Sequence, residues 1–248
     1  MCNCQMNRRA MLGLSGAASL SILGGCDDVD LVADETVEAM GLQAWSEIRQ
    51  STQITTDADL QTALNNVTGR LLVAANEASA DWEVLVFRGP EANAFALPGQ
   101  KIGVYEGMFG MISNLDQLAA IVGHEIGHLQ AEHSQERMNA QAAKGFGLRA
   151  LSWILATDEF EYSEEIAAAL GIGLDYGLIL PYSRRQELEA DRLGLVTMAA
   201  AGFQPEEAVT LWQRMDAAAT NRPPAFLTTH PAPRSRIEAI QEMLPELR

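Results

Sequence analysis

The chain has few cysteines, and none of them lies after residue 26. Cys2, Cys4 and Cys26 are the three among its 248 residues. Residues 27–248 therefore have no internal disulfide and no cysteine that could bind a metal. A metal bound in this part of the chain would need histidine and carboxylate ligands instead.

Basic residues are also scarce. The chain has 17 lysines and arginines against 33 aspartates and glutamates, which gives a formal net charge of −16. So acidic a surface repels the phosphates of nucleic acids and the headgroups of anionic lipids. We therefore expect no nucleic-acid partner and no membrane attachment through a basic patch.

Long apolar runs are missing after residue 26, where no stretch reaches the roughly 20 residues that a transmembrane helix needs. One shorter run lies near the start. Residues 10–25 are rich in Ala, Gly, Leu and Ser, follow Arg8 and Arg9, and end in small residues before Cys26. A basic start, a short apolar run and small residues are typical of a secretory leader.

Small residues directly before a cysteine also resemble a bacterial lipobox. We predict a lipoprotein signal peptide at residues 1–25, a lipidated cysteine and tether at residues 26–33, and one domain at residues 34–248. The multiple acyl chains of a lipoprotein anchor it stably, whereas one chain binds membranes only reversibly. The expected location is the bacterial periplasm, at the inner or the outer membrane. A plain signal peptide or an uncleaved anchor is the alternative, and the export route, general or twin-arginine, stays open.

Apolar periodicity gives a coarse secondary structure. Amphipathic helices are predicted near residues 34–49 and 57–76, and strands near residues 82–87, 95–97 and 102–105. The short apolar stretches of residues 144–180 favour a buried helix pair, with a lid or a membrane-facing pair as the alternative. The chain therefore combines a small sheet with many helices.

Residues 124–128 read H-E-I-G-H and are the most informative segment. Asn114 is a helix start signal, and apolar residues follow it at three- and four-residue spacing. Residues four apart on a helix share one face, so both imidazoles can reach one Zn²⁺ at about 2.0–2.1 Å. Glu125 then lies beside the metal, where it can take a proton from water. A solvated pair of helix histidines is the alternative.

A zinc peptidase needs a further ligand, and its position distinguishes the families. His133 lies nine residues after His124, about 900° around a helix, so we expect it on the opposite face, hydrogen-bonded or half-exposed and not a ligand. Glu187 and Asp191 are four apart on one face of a later predicted helix. One carboxylate can bind the metal while the other accepts a hydrogen bond from a ligand histidine and fixes its tautomer.

These motifs resemble peptidase family M48. Residues 124–128 match its HExxH, and residues 183–191, S-R-R-Q-E-L-E-A-D, are similar to its S-R-x-x-E-x-x-A-D. Residues 93–99, N-A-F-A-L-P-G, and residues 229–237, with T-H-P and R-I, resemble two further segments of the family. The resemblance implies an α+β, mainly helical gluzincin metalloprotease domain with a small β-sheet beside the HExxH helix.

The resemblance also implies roles for the central residues. His124, His128 and Glu187 would hold one Zn²⁺ and leave one position open. Glu125 would be the general base, and it would later pass the proton to the leaving amine. Asp191 would orient His124 through a hydrogen bond.

The resemblance leaves alternatives open for residues 93–99 and 229–237. By resemblance, His230 is a catalytic candidate that would donate to the oxyanion, with a structural role or a gating ligand in the open position as alternatives. Arg236 is its partner, a charge clamp on the cleft or a plain surface arginine. Asn93, Ala94 and Phe95 are substrate-binding candidates on an edge strand that pairs with substrate backbone. An ordinary hairpin with Phe95 as a core aromatic is the alternative.

The function expected from the resemblance is that of a zinc-dependent endopeptidase acting on misfolded or misassembled cell-envelope proteins. An envelope assembly factor or chaperone-like binding factor with latent protease activity is the alternative. Glu125 favours the enzyme, because a scaffold has no need for a base beside the metal. A purely structural zinc site is disfavoured, because such sites usually have four protein ligands, commonly cysteine.

Overall fold

A computed structural model describes residues 31–142, 182–219, 224–231 and 234–247. The predicted leader, the lipidation site Cys26 and the helix pair expected in residues 144–180 lie outside the described residues. The predicted fold class is confirmed, because the described chain is mainly helical with one small sheet. None of its helices is both long enough and apolar enough to cross a bilayer.

Nine α-helices lie in the described parts of the chain. In chain order they are α1 (Asp34–Ser51), α2 (Ala58–Ala74), α3 (Glu106–Phe109), α4 (Leu115–Gln130), α5 (133–142), α6 (Arg184–Ala200), α7 (Glu206–Ala218), α8 (Phe226–Thr229) and α9 (Arg234–Met243). Short 3₁₀ turns at Ser79–Asp81 and Leu244–Leu247 complete the helical elements. The first two helices differ from the predicted ranges by two residues or fewer.

The sheet has three strands, β1 (Glu83–Phe87), β2 (Ala94–Leu97) and β3 (Lys101–Tyr105), in the order β1-β3-β2. β1 runs parallel to β3, and β2 runs antiparallel to it. All three strands begin within one residue of the predicted positions. Residues 53–55 cover the outer edge of β1 through an isolated bridge between Ile54 and Phe87. No described strand pairs with the outer edge of β2.

Side-chain hydrogen bonds define the starts of the two helices that carry the central motifs. The Asn114 side chain accepts a hydrogen bond from the Gln117 backbone N–H at 2.9 Å, which begins α4. At α6, Ser183 and Gln186 form a reciprocal capping box. Both arrangements satisfy N–H groups that the helix itself leaves unpaired. The start that the sequence predicts at Asn114 is thus the start observed.

Helix α4 packs against α6 at unusually short range. A Cβ added at Gly127 would lie 2.7 Å from the Ala190 carbonyl oxygen, and one added at Gly194 would lie 2.8 Å from the Gly123 carbonyl carbon. Only glycine leaves room for backbones this close. Residues 117–128 of α4 are all buried, so the helix lies in the core, enclosed on all sides. This contact brings the HExxH motif of α4 close to Glu187 and Asp191 on α6.

Candidate metal centre

Four side chains from three segments bring ligand atoms into one buried cluster. His124 and His128 come from α4, Glu187 comes from the first turn of α6, and His230 directly follows α8. One ligand atom of each lies within 4.8 Å of the others, and all four residues are buried. The structure thus brings together the three residues expected to bind metal and adds His230 to them.

The spacing of these atoms fits a single four-coordinate ion. His124 Nε2 lies 3.0 Å from His128 Nε2, 3.1 Å from His230 Nδ1 and 3.5 Å from the nearer Glu187 oxygen. Glu187 Oε1 lies 3.3 Å from His128 Nε2 and 3.1 Å from His230 Nδ1. Ligands about 2.0–2.1 Å from a tetrahedral zinc ion lie about 3.3–3.4 Å apart. The cluster therefore has the dimensions of such a site.

The surroundings of the three imidazoles favour their neutral form. Burial lowers the pKa of His124, His128 and His230 well below the usual histidine value, because it penalises the charged form. The nearby Arg236 guanidinium lowers the pKa of His124 and His230 further. A metal ligand must offer an unprotonated nitrogen, so this donor set suits a cation.

Glu125 is buried beside the cluster with its carboxylate almost free of partners. Its Oε1 lies 3.3 Å from His230 Nε2, and neither oxygen has a hydrogen bond among the described residues. Burial and the Glu187 carboxylate raise the pKa of Glu125 to about 8, although the nearby backbone N–H of Ala96 lowers this pKa. A divalent cation at the cluster would favour the ionised form. A buried carboxylate with so few partners has oxygens available for water or substrate.

Asp191 and Arg236 support the cluster from behind. His124 Nδ1 lies 2.9 Å from Asp191 Oδ1, the contact expected of a carboxylate that orients this ring. Arg236 donates to both oxygens of Asp191 at 2.5 and 2.7 Å and forms an ion pair with Glu187. Its guanidinium also lies 3.9 Å from the centre of the Trp212 ring. Arg236 is 1 % exposed, so the surface-arginine alternative is wrong.

His133 lies in a place that the sequence analysis did not expect. The α4 helix ends at Gln130, and Glu132 takes a positive φ of 52° that turns the chain back. The 900° count assumed one continuous helix, so the expectation that His133 faces away from the cluster is wrong. His133 is buried, and its Nδ1 lies 2.9 Å from His128 Nδ1. As expected, it is hydrogen-bonded and is not one of the four clustered residues.

Aromatic rings enclose the histidines on one side. The Tyr182 ring stacks on His128 with 3.7 Å between centroids, and the Phe226 ring stacks on His230 at 4.4 Å. Arg137 lies over the other face of Tyr182 at 3.7 Å. Burial raises the pKa of the Tyr182 hydroxyl to about 12, so this group stays protonated. Sequence reasoning missed Tyr182, and no spacing or motif pointed to it.

The edge strand β2 runs past Glu125. Phe95 belongs to an aromatic cluster with Trp45, Phe87 and Tyr105, as the core-aromatic alternative had it. The Tyr105 N–H donates to the Asn93 carbonyl at 2.9 Å, so the backbone of Asn93 faces β3. Backbone direction alternates along an antiparallel pair. The backbone groups of Ala94 and the second residue after it, Ala96, therefore face the open edge.

Comparison with known proteins identifies the family. The model of Peptidase family M48 matches residues 57–244. Mitochondrial metalloendopeptidase OMA1 of Schizosaccharomyces pombe is 40% identical over 187 residues, which are 74% of this chain and 52% of that protein. The OMA1 of Saccharomyces cerevisiae is 36% identical over 173 residues, 66% of this chain and 48% of that protein.

A bacterial protein is also similar to most of this chain. The beta-barrel assembly-enhancing protease of Escherichia coli is 28% identical over 200 residues, which are 77% of this chain and 40% of that protein. The chain thus spans about half or less of the length of these relatives. The family match nevertheless covers most of the chain, and it includes every residue of the buried cluster. This chain belongs to peptidase family M48.

Proposed function

We propose that this chain is a zinc-dependent endopeptidase. One observation carries the proposal: the ligand atoms of three imidazoles and one carboxylate have the spacing of a tetrahedral site, and the nearly unpartnered carboxylate of Glu125 lies beside them. A structural metal site needs ligands but no such carboxylate. The names of the relatives, metalloendopeptidase and protease, support the same conclusion.

Zinc is the metal that this donor set suits best. Imidazole nitrogen and carboxylate oxygen are common zinc ligands, and the spacing fits the tetrahedral geometry that zinc prefers. His124 and His128 would bind through Nε2, and Glu187 through its carboxylate. A zinc ion held there supplies a Lewis acid that polarises the scissile carbonyl and makes water more acidic.

Glu125 would move the proton during hydrolysis. Its carboxylate takes a proton from the attacking water and later delivers it to the nitrogen of the leaving amine. Because the carboxylate is buried and has few partners, few competing hydrogen bonds must break before it acts. The dry surroundings also strengthen its interaction with charge that develops on the substrate.

His230 would fill the fourth corner at rest. Its Nδ1 lies among the ligand atoms, which favours the gating alternative over a purely structural role. A substrate carbonyl needs that corner, so the ring must leave before hydrolysis. The alternative that His230 donates to the oxyanion would then apply to the displaced ring.

Substrate would bind along the open edge of β2. The expected contacts were Asn93, Ala94 and Phe95, but the backbone of Asn93 and the side chain of Phe95 are engaged within the fold. The outward backbone groups of Ala94 and Ala96 are the better candidates for pairing with a peptide. Such pairing recognises backbone and is nearly independent of sequence.

The substrates we propose are misfolded or misassembled proteins of the cell envelope. The predicted leader with its lipidated Cys26 supports a periplasmic place at a membrane, and the name of the Escherichia coli relative supports a link to envelope proteins. The alternative is an assembly or chaperone-like factor with latent protease activity. It would bind the same proteins without having to cleave them.

Incubation of the full chain with unfolded casein tests the proposal. We expect cleavage that stops with a zinc chelator and returns when zinc is added. Glu125→Gln should keep its zinc, measured by elemental analysis, and lose cleavage by at least 10²-fold, since it keeps the shape but cannot take a proton. Cleavage that survives this substitution would reject the assigned base. Bound zinc without cleavage by the unaltered chain would favour the binding factor.

A further inference from the structure

The two histidines of the HExxH motif have different partners on their outer nitrogens. His124 Nδ1 faces the carboxylate of Asp191 at 2.9 Å. His128 Nδ1 instead faces a third imidazole, with His133 Nδ1 at 2.9 Å. Both rings of this second pair are about 1 % exposed, so bulk water does not compete for either nitrogen. This side-chain hydrogen bond joins the proposed ligand His128 to a histidine that is not itself one of the four clustered residues.

Two imidazole nitrogens at this distance share one proton, so one donates and the other accepts. The inner nitrogen of His128, Nε2, lies in the metal cluster, 3.3 Å from Glu187 Oε1. A nitrogen that binds a metal carries no proton, so the proton of His128 must lie on Nδ1. His133 Nδ1 is then the acceptor.

The proton position in His133 follows from the same step. A neutral imidazole that accepts at Nδ1 carries its proton on Nε2. On the side of the ring away from His128, His133 Nε2 faces Glu189 Oε2 at 3.5 Å. Glu189 in turn pairs with Arg185, and Arg185 pairs with Glu136 on α5. Both hydrogen bonds can therefore form together: His128 Nδ1–H donates to His133 Nδ1, and His133 Nε2–H donates to the exposed carboxylate of Glu189.

We infer that His133 is a positioning residue for His128, which it holds in the metal-binding tautomer by accepting the Nδ1 proton while its own Nε2–H points to Glu189. The inference rests on the proposed function, because it takes His128 as a metal ligand. The two helix histidines are thus oriented by unlike groups, a charged carboxylate for one and a neutral imidazole for the other. Orienting partners of this kind typically change metal affinity by 10–100-fold.

Two substitutions of His133 separate orientation from packing. His133→Leu puts an apolar side chain of similar size in place of the ring and so removes the acceptor. His133→Asn keeps an amide oxygen near the position of the ring Nδ1. We expect zinc affinity, measured by competition with a chromophoric chelator, to fall 10–100-fold in the leucine variant and to be largely restored in the asparagine variant. A purely structural role predicts instead that leucine is tolerated at least as well as asparagine, which would overturn the inference.

Nuclear magnetic resonance of the unaltered His133 provides a readout that needs no activity. The zinc-loaded Glu125→Gln chain, labelled with ¹⁵N, should show His133 protonated at Nε2 and a coupling between the two Nδ1 atoms across their hydrogen bond. A His133 ring protonated at Nδ1, or a missing coupling, would overturn the inference even if the leucine variant failed to fold. Glu136→Gln removes a charge from the same polar network but no hydrogen bond to the His133 ring, so it is the control and should leave this pattern unchanged.

The two proposals fail in different ways. If the unaltered chain binds no zinc at this cluster, the proposed function fails and the inference falls with it. If the chain binds zinc and cleaves casein but its His133 carries the proton on Nδ1, only the inference fails. Zinc binding by the unaltered chain is therefore measured first.

Discussion

The two halves of the candidate metal centre are built in different ways. One half, the α4–α6 pair, holds His124, His128 and Glu187 on two long helices whose backbones touch at Gly127 and Gly194. The other half, residues 226–231 and 234–237, supplies His230 from the end of a four-residue helix. Among the described residues, two backbone hydrogen bonds tie its first turn to the rest, from Phe226 N–H to the Ala92 carbonyl and from Tyr182 N–H to the Thr229 carbonyl.

The difference indicates which ligands can move. Displacing a residue on α4 or α6 would disturb a buried interface between two long helices, whereas displacing His230 would move the end of a four-residue helix. A fixed half with three proposed ligands and a second half with one is the arrangement that the proposed gating by His230 would require. Arg236 joins the halves, because it lies on α9 and contacts carboxylates of α6.

The largest loss of stability should come from removing the Arg236 side chain that joins the two halves. Arg236→Met removes the cation that faces Asp191 and Glu187 and leaves two buried carboxylates without it. Removing one partner of a buried ion pair costs about 3–5 kcal/mol. We expect the free energy of unfolding, measured by urea titration with chelator present, to fall by this amount.

Arg234→Met provides the matched control for that loss. Arg234 is exposed on the same helix, so its replacement should change the free energy of unfolding by less than about 0.5 kcal/mol. Added zinc should restore part of the stability of Arg236→Met, because the metal also neutralises Glu187. Equal stability of the two variants would show that Arg236 does not join the halves.

A smaller loss should follow from separating the fixed half. Gly127→Ala places a methyl group 2.7 Å from the Ala190 carbonyl, which backbone atoms cannot easily avoid. Overpacking of this kind costs about 1–3 kcal/mol, and zinc affinity should fall as the helices move apart. Gly69→Ala on α2, where no atom lies within 4 Å, should instead stabilise by up to about 1 kcal/mol. Thermal unfolding of both variants compares the two sites. If Gly127→Ala unfolded at the same temperature as the unaltered chain, the contact between the helices would not be tight.

The fixed half was more accessible to sequence reasoning than the movable half. A four-residue spacing reports which side chains share a face of one helix, so His124 with His128 and Glu187 with Asp191 could be paired from the chain alone. The strands and the start of α4 likewise follow from local signals. Periodicity says nothing about how closely two helices approach, so the backbone contact at Gly127 was not predicted.

The features that sequence reasoning missed depend on distant segments. His133 was placed on the wrong side because the prediction assumed one continuous helix from His124 to His133. In the structure α4 ends at Gln130, about one turn earlier, and Glu132 takes a positive φ that no sequence motif indicated. The burial of Arg236 depends on carboxylates more than forty residues away. Tyr182 acts through ring stacking, for which a single tyrosine in the sequence gives no sign.

The smallest change in metal binding should come from the movable half itself. His230→Ala leaves the three ligands of the fixed half in place, so we expect zinc affinity to fall less than about tenfold, whereas His124→Ala should abolish binding. The gating alternative also predicts faster cleavage of unfolded casein, because the fourth corner is open without displacement of a ring. An oxyanion role predicts the opposite, a loss of about 10²–10³-fold in turnover with zinc retained. If His230→Ala lost zinc as completely as His124→Ala, the division into a fixed and a movable half would be wrong, because all four ligands would then contribute alike.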